Sequence, residues 1–399
     1  MVRIYTAFTK EIDNPEEAAK QILQQLNPAE NALKNTIGFI HFYHEYVETE
    51  VCEAVVNALP FEVVGCVSSY IGTAGHHGEM SLSVTMITGN DFRFAIESVE
   101  GADAKTSEEI SDEITRICNG FLAKEKPKVV IPLLTLLPNY NGENLITTAS
   151  TLPEFIPMFG TVTFNMDKIT NPHYVLSDKK FAINKFVFVA LYGDFEPKFR
   201  VTSSFAAEEE RSGDAVDITD ADGAILKTVN GMPVLEYLKQ IGMVTTDNVV
   251  TGTYGIWIIP AVLTYPDGTS VVRAFPGVVE GTEHIYSTGT MKAGAKIKFA
   301  HLNGDKTIAS AAKLFTEIVA AKENNIMVYS CVARAWSLGT QLSAEAEKIA
   351  ECVAEYRKQN SAMDYCVAYS GGEICPVKDK DGKLVNALHN YSFASCSFC

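Results

Sequence analysis

The chain has 399 residues, of which 47% are hydrophobic and 21% are charged, the usual proportions of a soluble globular protein. Its formal net charge of −16 argues against nucleic acid as a main partner, because phosphate binding needs basic stripes and the sequence has none. The sequence has no run of about 18 uncharged apolar residues and no signal peptide, so we expect no membrane span and a cytoplasmic location.

One order of predicted elements occurs three times along the chain: strand, helix, strand, strand. Apolar runs indicate the strands, and apolar residues at helical spacing indicate the helix. The segments are 35–44, 45–59, 61–69 and 79–89 in the first copy, 128–138, 142–155, 158–167 and 184–194 in the second, and 325–334, 343–359, 364–374 and 389–399 in the third. The second strand of each copy ends in small residues, in GCVSS, FGTVT and YSGGE. The pattern predicts an internal structural repeat.

A different kind of sequence separates the second and third copies. It is polar and turn-rich from residue 201, and a short helix at 230–242 has a proline near its first turn and stops at a glycine. Within TYGIWIIPAVLTYPDGTSVVRAF, the DG dipeptide between two strand-like runs predicts a hairpin. An amphipathic helix at 306–325 then leads into the third copy.

These elements predict an α/β (mixed α+β) fold with mixed sheets. We place two repeat units in an N-terminal domain, 1–200, and the remainder in a C-terminal domain, 201–399. The C-terminal domain would hold an inserted antiparallel β-rich region, 201–305, followed by the third unit, 306–399.

The nine cysteines are an odd number in a chain without a secretion signal, which favours reduced thiols. Cys396 and Cys399, in CSFC, have C-x-x-C spacing, but a zinc site would need two further ligands nearby. We therefore expect no metal site.

Motifs along nearly the whole chain resemble those of the FIST family. They are VVGCVSS followed by a Gly-rich loop, then VNGMPVLEYLKQIG, then SCVAR (330–334), then GGEICP (371–376), and finally HNYSF (389–393). The resemblance implies an intracellular sensory module that binds small ligands, with amino acids as the usual suggestion.

Proteins of this family are often fused to kinases, cyclic-dinucleotide enzymes or chemoreceptor parts, whereas we expect no output domain at either end of this sequence. The resemblance therefore implies a stand-alone sensor and not an enzyme. We expect it to signal through a separate protein, such as a histidine kinase or a cyclic-dinucleotide enzyme.

The stretch GCVSSYIGTAGHHGE (65–79) allows three interpretations. It is a packed strand end with a Gly-rich turn, a pocket rim whose amides and hydroxyls bind a polar ligand, or a site with Cys66 as a nucleophile. A nucleophilic thiolate needs a base or a positive field to lower its pKa. Cys331 is the other candidate for a cysteine-dependent enzyme.

Two charged residues of the third copy are the main candidates for ligand recognition. Arg334 would close the first strand and offers a planar fork for a carboxylate, although a strand-end arginine is also a common partner in a salt bridge. Glu373 follows two glycines and could hold an ammonium group. A zwitterion such as an amino acid would suit the pair. His389 and Asn390, at the predicted start of the last strand, could add polar contacts or serve only turn chemistry.

The predicted ligand site lies in a cleft between the two halves. Its residues are Gly65, Cys66, Ser68, Ser69, Cys331, Arg334, Gly372, Glu373, His389 and Asn390. No cofactor is expected in this interpretation. The alternative is a haem-binding sensor of a gas such as nitric oxide, with an axial ligand among His41, His44, His76 and His77. The sequence lacks the C-x-x-C-H motif of covalent haem attachment.

Overall fold

Three runs of elements have the same order and form three units. The computed structural model describes residues 2–137, 139–165, 172–205, 214–244, 259–275, 277–358 and 363–399. The predicted segments extend outside this part of the chain at 138, 166–167, 206–213, 253–258 and 359.

The first unit begins with an edge strand and a helix that the sequence patterns did not assign to the repeat. Its elements are β1 (Arg3–Thr9), α1 (Pro15–Leu26), α2 (Pro28–Asn31), β2 (Asn35–Phe42), α3 (Glu45–Glu48), α4 (Val51–Ala58), β3 (Glu62–Val67), β4 (Tyr70–Thr73), β5 (His76–Glu79) and β6 (Leu82–Gly89). Those of the second unit are β7 (Arg93–Val99), a 3-10 turn (Ala102–Ala104), α5 (Ser107–Lys124), β8 (Val129–Leu134), α6 (Gly142–Ser150), β9 (Gly160–Val162), β10 (Val175–Ser177), β11 (Lys180–Ala182) and β12 (Phe186–Tyr192).

The third unit is interrupted by the inserted region after its edge strand, β13 (Pro197–Ser203). The inserted region contains β14 (Val216–Asp222), β15 (Ile225–Val229), β16 (Met232–Pro233), α7 (Val234–Gln240), β17 (Ile259–Thr264), β18 (Ser270–Phe275), β19 (Gly277–Val278), β20 (Ile285–Tyr286) and β21 (Lys296–Phe299). The unit then continues with α8 (Gly304–Ala320), β22 (Asn325–Cys331), α9 (Val332–Leu338), α10 (Ala344–Arg357), β23 (Asp364–Ser370), β24 (Gly372–Lys378), β25 (Leu384–His389) and β26 (Ser392–Phe398).

Side-chain caps begin several of these helices where the sequence supplies them. The Asn14 side chain accepts a hydrogen bond from the backbone N–H of Glu17 at the start of α1. Thr106 and Glu109 form a reciprocal capping box at the start of α5. Each cap satisfies a backbone donor that the helix itself cannot satisfy.

Each unit contributes four strands to its own sheet in the same spatial order. The first sheet is β1-β6-β2-β3-β10-β11, the second is β7-β12-β8-β9-β24-β25, and the third is β13-β26-β22-β23-β4-β5. In every sheet the first and second strands of the predicted repeat are parallel, and the last strand lies antiparallel beside the first. The α/β class with mixed sheets and the repeated strand-helix-strand-strand unit are confirmed.

The outer two strands of each sheet come from a different unit. The hairpin β4–β5 of the first unit pairs with β23 of the third, β24–β25 of the third pairs with β9 of the second, and β10–β11 of the second pairs with β3 of the first. This cyclic exchange gives the three units an approximate threefold arrangement. It also means that no unit can complete its sheet alone.

The inner faces of the three sheets share one apolar core, to which Phe39, Ile131 and Met327 contribute from the three units. Helices α1 and α4 cover the outer face of the first sheet, α5 and α6 that of the second, and α8 and α10 that of the third. Burial of a large apolar side chain such as Phe39 in this core stabilises the fold by about 1.5–3 kcal/mol. None of the helices in the described residues is long and apolar enough to cross a membrane.

The inserted region is antiparallel and β-rich, as predicted. Its strands follow the order β18-β17-β21-β14-β15-β20-β19, with β16 paired to β15. The predicted DG hairpin joins β17 to β18, and Gly268 adopts a φ of +85° that a side chain would disfavour. One buried arginine links the region to the units: Arg273 donates to the carbonyl oxygen of Leu388 at 2.6 Å and pairs with Glu143 of α6.

Two predicted positions were wrong. Arg334 does not close a strand, because β22 ends at Cys331 and the next residues form α9, in which Val332, Ala335 and Leu338 are buried at helical spacing. His389 does not begin the last strand but ends β25, and Asn390 lies in the turn before β26. Tyr391 in that turn has a left-handed φ of +52°, and the turn separates β25 from β26.

Candidate functional site

The most unusual polar group of the third unit is the carboxyl group of Glu373. This residue lies near the start of β24, where the chain leaves the third sheet for the second, and it is completely buried. The Ser370 hydroxyl donates to Oε1 and the Ser392 hydroxyl to Oε2, both at 2.5 Å. Among the described residues, no lysine or arginine lies within ion-pair distance of this carboxyl group.

This environment favours the neutral acid. Burial raises the pKa of Glu373 to about 8, although the two serine hydrogen bonds and the more distant charge of Arg334 act in the opposite direction. A carboxylate buried without a cation is costly, so the group keeps its proton at neutral pH. Glu373 is therefore a protonated acid that a cation could ionise.

Ser392 also lines a cavity of about 240 Å³. Its walls come from the edge strand β13, from the hairpin β17–β18 of the inserted region, and from the end of the third unit. The lining residues are Val201, Thr202, Ser203, Phe205, Val262, Ser270, Val271, Val272, Val377, His389 and Ser392. Ser392 thus belongs both to the cavity wall and to the hydrogen bonds of the buried carboxyl group.

His389 and Asn390 hold this corner together. Burial lowers the pKa of His389 to about 4, so the ring is neutral, and Nε2 lies 3.1 Å from the carbonyl oxygen of Cys375. The Asn390 side-chain oxygen accepts from the Thr288 hydroxyl at 2.7 Å. Its amide nitrogen lies 3.4 Å from the carbonyl oxygen of Gly371. Asn390 therefore joins the inserted region to the glycines that precede Glu373.

The other two units show whether the fold itself requires these polar groups. Ser370 pairs with the last residue of β22, and the residues that pair with the last residue of the corresponding strands are Val67 and Val162. Gly65 and Gly160, two positions earlier, support this alignment, because each approaches the carbonyl oxygen of its neighbouring strand too closely for a Cβ atom. The Ser370 position is therefore apolar in both other units.

The same alignment extends to the other two members of the cluster. Ser392 begins the last strand of its unit, where the other units have Leu82 and Phe186. Glu373 pairs with the residue before Val162, and Val175 has the equivalent position in the hairpin of the second unit. The fold can therefore be built with an apolar residue at each of these three positions.

The serines of the opening stretch connect units. Ser68 accepts a hydrogen bond from the backbone N–H of Tyr369 and donates to the carbonyl oxygen of Tyr70, both at 2.9 Å. The Ser69 hydroxyl lies 3.4 Å from the carbonyl oxygen of Phe164 in the second unit. Both serines therefore fasten the first unit to its neighbours.

Other predicted ligand residues have packing environments. Gly65 packs against the backbone of the neighbouring strand, and Gly372 packs against Leu388. Cys66 lies in the central core. The structure thus brings Glu373, Gly372, His389 and Asn390 together, with Cys331 close enough for the charge of Glu373 to influence its pKa.

Arg334 has a partner within its own unit. Its Nε donates to Glu345 at 2.9 Å and its Nη2 donates to the same oxygen at 2.5 Å, and both side chains are almost completely buried. Glu345 also accepts hydrogen bonds from Ser330 and Tyr369, each at 2.8 Å. The guanidinium group is thus engaged in an ion pair, and its role as a ligand contact stays a prediction.

The cysteine environments favour thiols. Burial raises the pKa of Cys66, and burial together with the charge of Glu373 raises that of Cys331. A cysteine nucleophile needs the opposite shift, because the thiolate is the reactive form.

The four histidines of the haem alternative have different environments, and His76 and His77 are neighbours on β5. His41 is in the core with Nε2 at 3.3 Å from the Tyr329 hydroxyl, and burial lowers its pKa to about 4. His44 Nδ1 lies 2.7 Å from the Asn165 amide nitrogen. His76 and His77 are on β5, beside lysine and glutamine side chains and not in the apolar slot that a porphyrin requires. No described group of three or more His, Cys, Asp or Glu side chains could hold a metal ion. Haem binding stays a prediction.

Sequence patterns missed the two serines that hold Glu373. Ser370 is the first small residue of YSGGE and Ser392 lies within HNYSF, so both were inside quoted motifs. Their separation of 22 residues hides the fact that both bind one carboxyl group. The β13 wall and the buried Arg273 gave no local signal.

Fold and cluster together describe an α/β protein of three repeated units, with the buried carboxyl group of Glu373 close to a cavity between the third unit and the inserted region. Residues 36–232 match the FIST N domain and residues 235–376 match the FIST C domain, so the chain belongs to the FIST family. FIST domains are associated with sensing in signal transduction. The second match includes Glu373 and ends before His389 and Ser392. A comparison with curated proteins gave no match.

Proposed function

We propose that this protein is a sensory module that binds a small metabolite carrying an ammonium group, such as an amino acid. The binding site is the cavity between β13, the β17–β18 hairpin and the third unit. One observation carries the proposal: Glu373 is a completely buried acid, held by two serines, without a cation within ion-pair distance among the described residues, one hydroxyl away from a cavity.

An ammonium group beside Ser392 would supply the missing charge. A positive charge within about 4–6 Å favours the ionised carboxylate, and the interaction is stronger in a buried site than in water. Pockets for drug-sized ligands have volumes of roughly 300–1,000 Å³. The cavity here, of about 240 Å³, is smaller, which favours a metabolite of amino-acid size. Neutral His389 and Ser392 offer hydrogen bonds to its polar groups.

Binding would change the contact between the inserted region and the third unit. The cavity walls belong to both parts, and Asn390 already connects them through Thr288. A ligand that prefers one arrangement of these walls shifts the population toward it. We propose that a separate signalling protein, such as a histidine kinase or a cyclic-dinucleotide enzyme, responds to this shift.

A thermal-shift screen of amino acids and other small amines tests the proposal. We expect at least one compound to raise the melting temperature of the wild type, and Glu373→Gln to lose the response. Ser392→Ala should weaken it. Ser395→Ala is the matched control, because Ser395 is a buried serine of the same strand whose hydroxyl has no hydrogen-bond partner among the described residues.

Proton release gives an independent measurement. Because Glu373 is mostly protonated at pH 7, binding of an ammonium group should expel its proton. Calorimetry in two buffers with different ionisation enthalpies should therefore give different apparent binding enthalpies for the wild type. A stabilising amine that releases no proton, or that stabilises Glu373→Gln equally well, contradicts this site.

A further inference from the structure

A second cleft, of about 570 Å³, lies on the first unit and is independent of the Glu373 site. It is bounded by the end of β1, one face of α1, and the hairpin β4–β5. Its lining residues are Phe8, Thr9, Lys10, Gln21, Gln24, Gln25, Gly75, His76 and His77.

The threefold arrangement places this cleft at the corner that corresponds to the Glu373 cavity. Thr9 pairs with the first residue of β6, and Ser203 pairs with the first residue of β26. Thr9 and Ser203 are thus equivalent residues, and each lines its own cleft. In both corners the edge strand of one unit lies beside a hairpin that has crossed to another sheet.

The α1 wall of the cleft is held in place by side-chain amides. Gln25 accepts from the backbone N–H of Phe8 at 3.0 Å and donates to its carbonyl oxygen at 2.8 Å. Gln21 accepts from the Thr9 hydroxyl at 2.7 Å. The wall is therefore ordered before any ligand arrives, which lowers the entropy cost of binding.

Lys10, which follows β1, and the two histidines of the hairpin line the cleft opposite α1. A Cβ atom at Gly78 would lie 2.5 Å from Cε and 2.7 Å from Nζ of Lys10, so only glycine lets this lysine lie across the hairpin. The His76 ring stacks on Phe8, with centroids 5.6 Å apart and an interplanar angle of 9°. His77 already faces Glu347, with Nε2 at 3.8 Å from its carboxylate.

Lys10 is the charged residue of the cleft lining, and the Glu347 carboxylate lies next to the cleft, beside His77. The formal net charge is −16, yet none of the described residues that line this cleft is acidic. We infer that the cleft is a second binding site, for a small anionic metabolite whose carboxylate or phosphate group contacts Lys10 and His76. The Gln24 amide, which also lines the cleft, supplies a further hydrogen bond to such an anion, whereas the Gln25 amide already donates to the carbonyl oxygens of Phe8 and Gln21.

Calorimetric titration of the full chain with citrate and with pyrophosphate at low ionic strength tests the site and separates the two chemistries. We expect at least one probe to bind, and Lys10→Ala to weaken it by about fivefold or more, as for the loss of one ion pair. Lys313→Ala, which removes an exposed lysine from α8, is the matched control and should bind like the wild type.

Gly78→Ala provides a second variant that keeps the lysine and displaces it, and it should also weaken the probe. Glu373→Gln should leave probe binding unchanged, which distinguishes failure of this site from failure of the proposed ammonium site. Absence of binding by both probes at millimolar concentration overturns the inference. So does equal affinity of the Lys10→Ala and Lys313→Ala variants.

Discussion

The carboxyl groups of Glu373 and Glu345 belong to the same unit and are both completely buried, yet their surroundings differ in kind. Glu345 has a guanidinium partner and two hydroxyl donors, so its charge is balanced inside the protein. Glu373 has two hydroxyl donors and no cation at ion-pair distance among the described residues. The first arrangement is complete by itself, whereas the second is completed by a proton or by a cationic ligand.

The comparison of units leads to the same conclusion. Val175, Val162 and Phe186 occupy in the second unit the positions of Glu373, Ser370 and Ser392. An apolar residue at these positions is therefore compatible with the fold. The polar cluster of the third unit costs stability that the fold does not require, which is typical of a functional site.

The largest effect should follow from breaking the complete pair. Glu345→Gln leaves the buried charge of Arg334 without its carboxylate, and we expect a loss of about 3–5 kcal/mol in the free energy of unfolding. Glu373→Gln resembles the protonated native acid and needs no proton uptake on folding, so it should not lower the free energy of unfolding at pH 7. Urea denaturation of both variants measures the difference. Equal losses in the two variants would falsify the distinction between the two carboxyl groups.

The pH dependence of stability should separate Glu373 from the other acids. Its pKa is raised from 4.5 to about 8 on folding, so the native state holds a proton that the unfolded state has lost between these pH values. The free energy of unfolding should therefore fall as pH rises through this window, by about 2 kcal/mol between pH 6 and 8. The Glu373→Gln variant should not show this decrease in the free energy of unfolding between pH 6 and pH 8. A wild-type decrease that persists in the variant would assign the effect to other groups.

A smaller effect is expected when the cluster is made to resemble the second unit. The combined variant Ser370→Val, Glu373→Val and Ser392→Phe removes all three polar groups together, so it leaves no hydroxyl of the cluster unsatisfied. We expect stability at pH 7 within about 2 kcal/mol of the wild type, and loss of any thermal response to amines. A loss of stability well beyond this range, measured by urea denaturation, would show that the fold requires the polar cluster.

The smallest effect concerns thiol labelling, which reports on the same buried region. Cys399 is exposed, whereas Cys66 and Cys331 are buried and burial raises the pKa of both. Iodoacetamide at neutral pH should modify Cys399 and leave the other two unmodified in the folded protein, as read by peptide mass spectrometry. Labelling of Cys331 at the rate of Cys399 would instead point to an activated nucleophile beside Glu373.

The repeat was predictable because its signals are local. Apolar runs at 35–44, 128–138 and 325–334 each became the first strand of a unit, and the DG hairpin formed where the dipeptide stands. The hairpin exchange was not predictable, because a strand such as β4 presents the same backbone donors and acceptors to any neighbour. Its partner β23 lies nearly three hundred residues away along the chain, and only packing of all three units selects it.

The sequence by itself determined the class of fold, the threefold order of elements, the place of the inserted region and the family, since all of these depend on residue type and spacing. Only the tertiary structure decided which groups surround Arg334 and Glu373. A guanidinium group and a carboxyl group attract each other wherever they meet, so their residue types suggested one shared ligand site. The fold placed Glu345 within reach of Arg334 and left Glu373 among hydroxyl groups. Burial then made that difference matter, because charge in a protein interior must be neutralised within a few ångströms.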